Sequence, residues 1–280
     1  MVGRPGPIEA PGYGSGVPRE RFAIAGDGTP LGYREEGEGD AVLLVHSTAA
    51  DARQWSLLVP LLARTFRVAS MDRRGRGASG PYPADHSLEV EYGDIAAVAT
   101  SLEGPVHLVG HSSGARFALH AAALIPNLAT LILYEPPAPE GLTEPVMRTL
   151  AEYGASGDRH GVLRTFFVDG VGMAEDGFDL LQQRPVWPLM MDNALTVPAE
   201  LSAVRHYRFD PSGIGGLGVP TLLLLGEESD DSVAGVTESI AAALPAATVE
   251  ILPGQGHGAM FSAPELLATR ISSFLAAPRR

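Results

Sequence analysis

Short, continuous apolar runs recur along this chain and alternate with helical patterns. Such runs are typical of parallel strands that are covered on both faces, and strands that alternate with helices build a mostly parallel sheet. We therefore predict an α/β fold with a doubly wound, mostly parallel sheet. Its predicted strands are 41–45, 66–71, 105–109, 129–134, 219–225 and 247–252. Helical patterns are found at about 53–63 in the core and at 146–153 and 161–167 in the segment before the 219–225 strand.

The 280 residues are enough for one domain with a large core. The flexible tail is predicted at 1–20, because its first 18 residues hold five glycines and four prolines and almost no large apolar side chain. A hairpin of strands at 21–25 and 31–35 is expected to form the edge of the sheet. The predicted core comprises 21–137 and 218–280; between them the alternation stops, and bulky apolar residues in helical patterns predict a helical cap over 138–217.

Charge and composition exclude several classes of function. The formal net charge of −13 disfavours nucleic acid as a partner, and the absence of cysteine excludes disulfides, thiolate catalysis and cysteine metal sites. No apolar run approaches the ~20 residues that cross a bilayer, and the first residues lack the features of a signal peptide. We expect a cytoplasmic protein with a small-molecule substrate, without a membrane partner, metal or cofactor, and leave its oligomeric state open.

The segment around Ser112 combines a buried strand, a serine flanked by glycines and an alanine-rich helical pattern. The sequence GHSSG at 110–114 matches G-x-S-x-G, in which a sharp strand-to-helix turn strains the serine backbone and exposes its hydroxyl. The string alone arises by chance in a glycine-rich chain, but the strand before it and the small-residue helix face after it favour the functional interpretation. We predict that Ser112 is a nucleophile.

A serine hydroxyl needs a base to remove its proton, and imidazole has a suitable pKa. His257 follows the last predicted strand in a glycine-rich loop, whereas His107 lies within a predicted strand and His120 within a predicted helix. His46, at the end of an earlier strand, is the lesser rival. We predict that His257 is the general base.

An acid must orient the histidine, and in sites built on this turn it lies between the serine and the histidine in the chain. Glu135 and Asp230 both follow a predicted strand within that interval, and either could also be an ordinary surface carboxylate. The oxyanion of the intermediate needs two amides. The predicted donors are Ser113, which follows the serine, and Thr48, in the loop after the 41–45 strand.

With these residues assembled, the chain resembles the α/β-hydrolase superfamily over about 21–275. The resemblance is carried by HST at 46–48, DRRGRGAS at 72–79, GHSSG at 110–114 and GQGH at 254–257. It implies an eight-stranded sheet, a helical cap after the sixth strand and a Ser-His-acid triad without a cofactor. The basic 72–79 loop lacks the pattern of a phosphate-binding loop, so it is interpreted as a structural turn.

Two positions depart from the family pattern. Ser47 occupies a position where glycine is usual, and Ser229 occupies one where many members carry the acid. Asp230 matches a variant spacing, while YEPP at 134–137 resembles bacterial members that take the acid from the earlier strand. Glu135 is slightly preferred, and Asp230 remains open.

We expect a serine hydrolase that cleaves an ester, thioester, lactone or amide of a small to medium apolar molecule through an acyl-enzyme. The alternatives are a non-hydrolytic enzyme on the same fold, such as a lyase, a cyclase or a cofactor-free oxygenase, and a binding protein without activity. Several cap residues could line a pocket or could pack the cap on itself. The predicted substrate-binding residues are His46, His111, Phe166, Phe167, Trp187 and Met191.

Overall fold

A computed structural model describes residues 18–137, 142–210 and 213–277. Eight strands form one sheet in the spatial order β1-β2-β4-β3-β5-β6-β7-β8. The strands are β1 (Arg19–Ile24), β2 (Pro30–Glu36), β3 (Ala41–Val45), β4 (Arg67–Met71), β5 (Val106–His111), β6 (Leu128–Tyr134), β7 (Thr221–Gly226) and β8 (Ala247–Leu252).

The sheet is parallel except at one edge. β1 pairs with β2, and β2 with β4, in antiparallel fashion, while every pair from β4 to β8 in the spatial order is parallel. This confirms the predicted eight-stranded, mostly parallel sheet and its hairpin edge. β1 already begins at Arg19, so the chain enters the sheet before the predicted end of the tail, and residues 1–17 of that tail lie outside the described residues.

Helices cover both faces of the sheet. Their bounds are α1 (Val59–Leu62), α2 (Leu88–Ser101), α3 (Ser113–Ala121), α4 (Glu144–Ser156), α5 (Arg159–Arg164), α6 (Glu175–Leu181), α7 (Trp187–Asn193), α8 (Val197–Val204), α9 (Asp231–Ala243), α10 (Ala259–Ser262) and α11 (Pro264–Ala276). Apolar residues of α2, α3 and α9 join one core cluster, and those of α1 and α11 join a second. Two separate cores on opposite faces are what a doubly wound sheet requires.

Two predicted helices are interrupted. A single helix was expected over 53–63, but the chain forms a 3₁₀ turn at Ala52–Trp55 and then the short α1. Pro60 lies in the first turn of α1, where its missing N–H is tolerated, and it would break a helix that continued through it. In the cap, α5 continues as a π-helix over Thr165–Gly170, and such wider turns often occur at functional sites.

The segment between β6 and β7 carries α4 to α8 and supplies apolar residues to the same core cluster as α2 and α3. The cap therefore packs against the face of the sheet that holds α3, above the carboxyl ends of the central strands. Residues 138–141 and 211–212 of the predicted cap lie outside the described residues.

Candidate active site

Ser112 lies between the end of β5 and the first residue of α3, with φ 54° and ψ −124°. A side chain at Gly110 would overlap the backbone of α3, and one at Gly114 would overlap the backbone at Val45 and the following residue. Both glycines are therefore needed for the close approach of strand, turn and helix. The geometry agrees with the predicted sharp turn at Ser112.

Backbone strain is concentrated at this end of the sheet. Among the described residues, the non-glycine positions with positive φ are Ala49, Ser112 and Glu135, with φ of 53°, 54° and 48°. They follow β3, β5 and β6, which are neighbours in the sheet. Strained non-glycine residues persist where the surrounding structure holds them and often occur at functional sites.

Glu135 contacts His257 directly. Its Oε2 lies 2.6 Å from the Nδ1 of His257, while its Oε1 accepts hydrogen bonds from the Gly226 amide at 2.7 Å and from the Ser229 hydroxyl. Glu135 is buried, and burial favours the neutral acid, but its hydrogen bonds to His257, Ser229 and Gly226 together lower the pKa of its carboxyl group. An ionised carboxylate at this position favours a proton on Nδ1, which leaves Nε2 free to accept one.

The backbone on both sides of His257 is fixed by residues of β5 and β6. The hydroxyl of Tyr134 donates to the Gly256 carbonyl and accepts from the Ala259 amide at 3.2 Å. His111 Nε2 lies 2.9 Å from the His257 carbonyl. Since His111 directly precedes Ser112, this bond brings the loop of His257 against the turn of the serine.

Asp230 is placed differently. Its carboxylate accepts hydrogen bonds from the amides of Ser232, at 2.9 Å, and Val233, at 3.1 Å, and so caps the N-terminus of α9. The side chain is exposed. Of the two acids that the sequence left open, Glu135 is the one bonded to His257, while Asp230 is engaged in helix capping.

Thr48 and Ser113, the predicted oxyanion donors, lie side by side, with 3.0 Å between their hydroxyl oxygens. Ser113 is the first residue of α3, so its amide belongs to the group of N–H donors that have no partner within the helix. Thr48 precedes the strained Ala49 in the loop after β3. The structure thus brings the two residues together next to Ser112.

The two histidines predicted to contact the substrate, His46 and His111, instead bond within the protein. His46 is buried; its Nδ1 donates to the Ser47 carbonyl at 2.9 Å, and its Nε2 accepts from the Arg73 amide at 3.1 Å. Burial and the nearby Arg73 and Arg76 charges lower its pKa to about 3. Its ring therefore holds the 72–79 loop to β3 in neutral form and has no nitrogen free for a substrate.

His111 is also buried and fully engaged. Its Nδ1 accepts from the Gln54 side chain at 3.2 Å, and its Nε2 donates to the backbone of His257. Burial, followed by the charge of His257, lowers the pKa of His111 well below the usual range. The Gln54 oxygen in turn accepts from the Ser47 hydroxyl at 2.6 Å, so one chain of bonds joins the loop after β3 to the histidine loop. Gln54 carried no signal in the sequence.

The 72–79 loop is a structural turn, as predicted. Arg73 makes a two-point ion pair with Glu91, with distances of 3.0 and 2.9 Å, and both side chains are buried. Arg76 pairs with Glu200 of α8, which also lies 3.2 Å from Arg73. Sequence reasoning did not identify Glu200, although a single acid in the apolar segment VPAELSAV was a signal, because a buried carboxylate needs a partner.

The cap residues predicted to contact the substrate are partly buried, and the three aromatic ones belong to one cluster of rings. Phe166 and Phe167 lie on the π-helix with ring centroids 4.9 Å apart, and Phe178 lies 5.6 Å from Trp187. Met191 packs against the core cluster to which α2 and α3 contribute. These contacts fit both packing within the cap and the lining of a pocket, so the substrate contact stays a prediction.

Within the three described ranges, no helix has the length and apolar character needed to span a membrane. The same ranges contain no group of three or more histidine, aspartate or glutamate side chains that could hold a metal ion.

Comparisons with known proteins agree with this architecture. The chain matches the model of the Alpha/beta hydrolase family over residues 42–270. A solved structure of an alpha/beta hydrolase from Sphaerobacter thermophilus superposes with a TM-score of 0.83 at 29% identity, covering 91% of this chain and 100% of that one. Because the family match extends over more than half of the chain, this protein belongs to the alpha/beta hydrolase family.

Its relatives by sequence include a dienoic acid hydrolase and a deformylase. The chain is 28% identical to the 2-hydroxy-6-oxo-6-(2'-aminophenyl)hexa-2,4-dienoic acid hydrolase of Metapseudomonas resinovorans, over 91% of this chain and 90% of that protein. It is 36% identical to the N-formylmaleamate deformylase of Pseudomonas putida over 124 residues, which are 41% of this chain and 46% of the deformylase. The latter match thus spans less than half of that relative.

Proposed function

We propose that this protein is a serine hydrolase in which Ser112, His257 and Glu135 form the catalytic triad. The observation that carries the proposal is the 2.6 Å bond from His257 Nδ1 to the buried Glu135, beside a serine held at φ 54°. The bond fixes the tautomer in which Nε2 can accept the serine proton, and the turn presents the hydroxyl.

In the proposed reaction, the Ser112 oxygen attacks the substrate carbonyl carbon while His257 Nε2 accepts the hydroxyl proton. The amides of Thr48 and Ser113 stabilise the resulting oxyanion. His257 then protonates the leaving group, and the acyl group stays on Ser112. Water, activated by His257, releases the acid in a second step of the same kind.

We propose that the acyl group is small to medium and apolar, since the cap above the strand ends presents the partly buried Phe166, Phe167, Trp187 and Met191. The relatives include a deformylase and a dienoic acid hydrolase, so family membership alone leaves the cleaved bond open. Esters, thioesters, lactones and amides all give the tetrahedral intermediate that the proposed site would stabilise.

The test combines turnover and covalent labelling. Purified protein should hydrolyse short p-nitrophenyl esters, and phenylmethylsulfonyl fluoride should add to Ser112, as located by peptide mass spectrometry. Ser112→Ala should lower turnover by about a millionfold without loss of folding. Ser239→Ala, which changes an exposed serine on α9, is the matched control and should leave turnover unchanged.

Three outcomes would contradict the proposal in different ways. Near wild-type turnover in Ser112→Ala would exclude a serine nucleophile. Labelling of Ser112 without hydrolysis of any ester, thioester, lactone or amide would favour a lyase, a cyclase or an oxygenase on the same fold. Neither labelling nor turnover would favour a binding protein.

A further inference from the structure

The two proposed oxyanion residues are joined through their side chains to a carboxylate of the cap. The Thr48 hydroxyl lies 2.6 Å from Glu200 Oε1 and 3.0 Å from the Ser113 hydroxyl. Glu200 belongs to α8, whereas Thr48 lies in the loop after β3 and Ser113 is the first residue of α3. The contact therefore connects the cap with the residues beside Ser112.

The direction of each hydrogen bond in this chain follows from the donors present. Arg73 and Arg76 outweigh the effect of burial and lower the pKa of Glu200 to about 2, so its carboxylate can only accept. Thr48 must then give its single hydroxyl proton to Glu200. The hydrogen between the two hydroxyls therefore comes from Ser113, whose oxygen also lies 3.4 Å from the Nη1 donor of Arg73.

Along this chain of bonds, Arg73 donates to Ser113, Ser113 to Thr48, and Thr48 to Glu200. Glu200 and Ser113 are buried, where an unmet hydrogen bond is costly, so the three side chains hold one another in a single arrangement. Thr48 and Ser113 are the residues whose amides we propose for the oxyanion. Bonds between their side chains constrain the spacing of those amides.

We propose that Glu200 is a positioning residue that sets the spacing of the two oxyanion donors through the hydroxyls of Thr48 and Ser113. The inference rests on the proposed function. It gives the cap a part in the chemistry besides covering the substrate: α8 supplies the acceptor that orders the oxyanion site. Donors must lie within a few tenths of an ångström of their required positions, so the loss of this restraint should lower the rate of the chemical step.

The decisive comparison is Thr48→Val against Thr48→Ser, because both leave the buried ion pairs intact. Valine has the shape of threonine but no hydroxyl, while serine keeps the hydroxyl. We expect Thr48→Val to lower kcat about 30-fold with KM within about twofold, a part of the loss caused by removing an oxyanion donor. Thr48→Ser should keep kcat within about threefold of the wild type, since it retains the bond to Glu200.

A transition-state mimic gives a second readout. Phenylboronic acid should form a tetrahedral adduct with Ser112, and its affinity should fall in Thr48→Val by the same factor as kcat. Glu200→Gln replaces the charged acceptor of the Thr48 hydroxyl with a weaker, neutral one and leaves Arg73 and Arg76 without its charge. If this variant folds, adding Thr48→Val to it should lower kcat less than Thr48→Val does in the wild type, because both changes act on one chain.

The matched control is Asp192→Asn, which removes another cap carboxylate that pairs with the core, at 3.0 Å from Arg53. It should leave kcat and KM unchanged. Wild-type kcat in Thr48→Val, or a rise in KM alone, would overturn the proposed role of Glu200 while leaving the hydrolase intact. A wild-type protein that neither cleaves p-nitrophenyl acetate nor reacts with phenylmethylsulfonyl fluoride would refute the proposed function and, with it, this inference.

Discussion

The loops that follow β6 and β7 each carry an acid that could orient a histidine, yet their environments differ. Glu135 comes directly after β6, is buried and bonds to His257, Gly226 and Ser229. Asp230 comes four residues after the end of β7, is exposed and caps α9. A place in the loop after a strand therefore does not by itself decide the chemistry of an acid.

The backbone explains much of this difference. The positive φ of Glu135 turns its side chain out of the strand direction, where it reaches the loop of His257 across the end of β7. The carboxylate of Asp230 instead bonds to the two amides of α9 that it caps. Ser229, at the position where many family members carry the acid, donates to Glu135 instead.

The largest expected effect comes from replacing the buried acid. Glu135→Gln should lower kcat by about 10⁴-fold, because the amide favours the wrong histidine tautomer and cannot stabilise the imidazolium. Asp230→Asn is the matched change in the other loop and should keep kcat within about twofold, as expected for a surface substitution. Ester turnover of both variants, measured at equal thermal stability, checks the comparison; a large loss in Asp230→Asn with almost none in Glu135→Gln would reverse it.

Moving the carboxylate from one loop to the other is a sharper test. In Glu135→Asn/Ser229→Asp, the new carboxylate stands at residue 229, whose hydroxyl in the wild type is hydrogen-bonded to Glu135 Oε1. We expect about tenfold higher turnover than in Glu135→Asn alone, a partial recovery of the loss caused by a missing acid. Glu135→Asn/Ser232→Asp places the same group at the start of α9 and should recover nothing. Equal turnover in all three variants would show that the loop after β7 cannot serve His257.

The acid dependence of stability should report whether Glu135 is ionised in the folded protein. The folded pKa of Glu135 lies below its unfolded value, so its contribution to the free energy of unfolding is complete above about pH 4.3 and is lost as the pH falls through the folded pKa. The contribution is about 1.4 kcal/mol for each unit of that difference. Denaturant unfolding should therefore show a stability gap between wild type and Glu135→Gln that shrinks on acidification. A gap that stays constant with pH would contradict an ionised Glu135.

The smallest effect is expected at Asp230. Asp230→Ala removes the N-cap of α9 and should lower the free energy of unfolding by about 1 kcal/mol, with kcat unchanged. Asp230→Ser keeps a capping oxygen and should retain most of the stability, as thermal unfolding can measure. A large decrease in kcat in both variants, measured where both are fully folded, would assign Asp230 a part in the reaction.

Much of the fold could be predicted because its signals are local. The 41–45 and 247–252 runs form strands with the predicted bounds, and the serine turn at 110–114 has the expected backbone. The predicted helix over 53–63 is the clearest departure. Its apolar pattern indicates one helix, but the segment forms a 3₁₀ turn and a short helix with Pro60 in its first turn. Apolar periodicity reports which residues are covered, whereas a break in a helix depends on individual residues.

The site was less predictable than the fold. His46 and His111 follow or end strands that lead to the site, so sequence position alone favoured contact with substrate. Both rings instead use their nitrogens in bonds within the protein, and these include partners distant in the chain: the Arg73 amide for His46 and the Gln54 side chain for His111. Gln54 was not identified, because a polar residue near a strand end looks the same whether it is solvated or buried. Glu200 was missed although its apolar neighbours in α8 indicated burial.

By itself, the sequence determined the order of strands and helices, the sharp turn at Ser112 and the short set of residues available for its chemistry. Those features depend on side-chain periodicity and on glycines a few residues apart. Only the tertiary structure decided which acid meets His257, 122 residues away from Glu135, and that a cap carboxylate reaches Thr48 across 152 residues. The reason is physical: burial and hydrogen-bond partners give a polar side chain its charge and direction, and both come from segments distant in the chain.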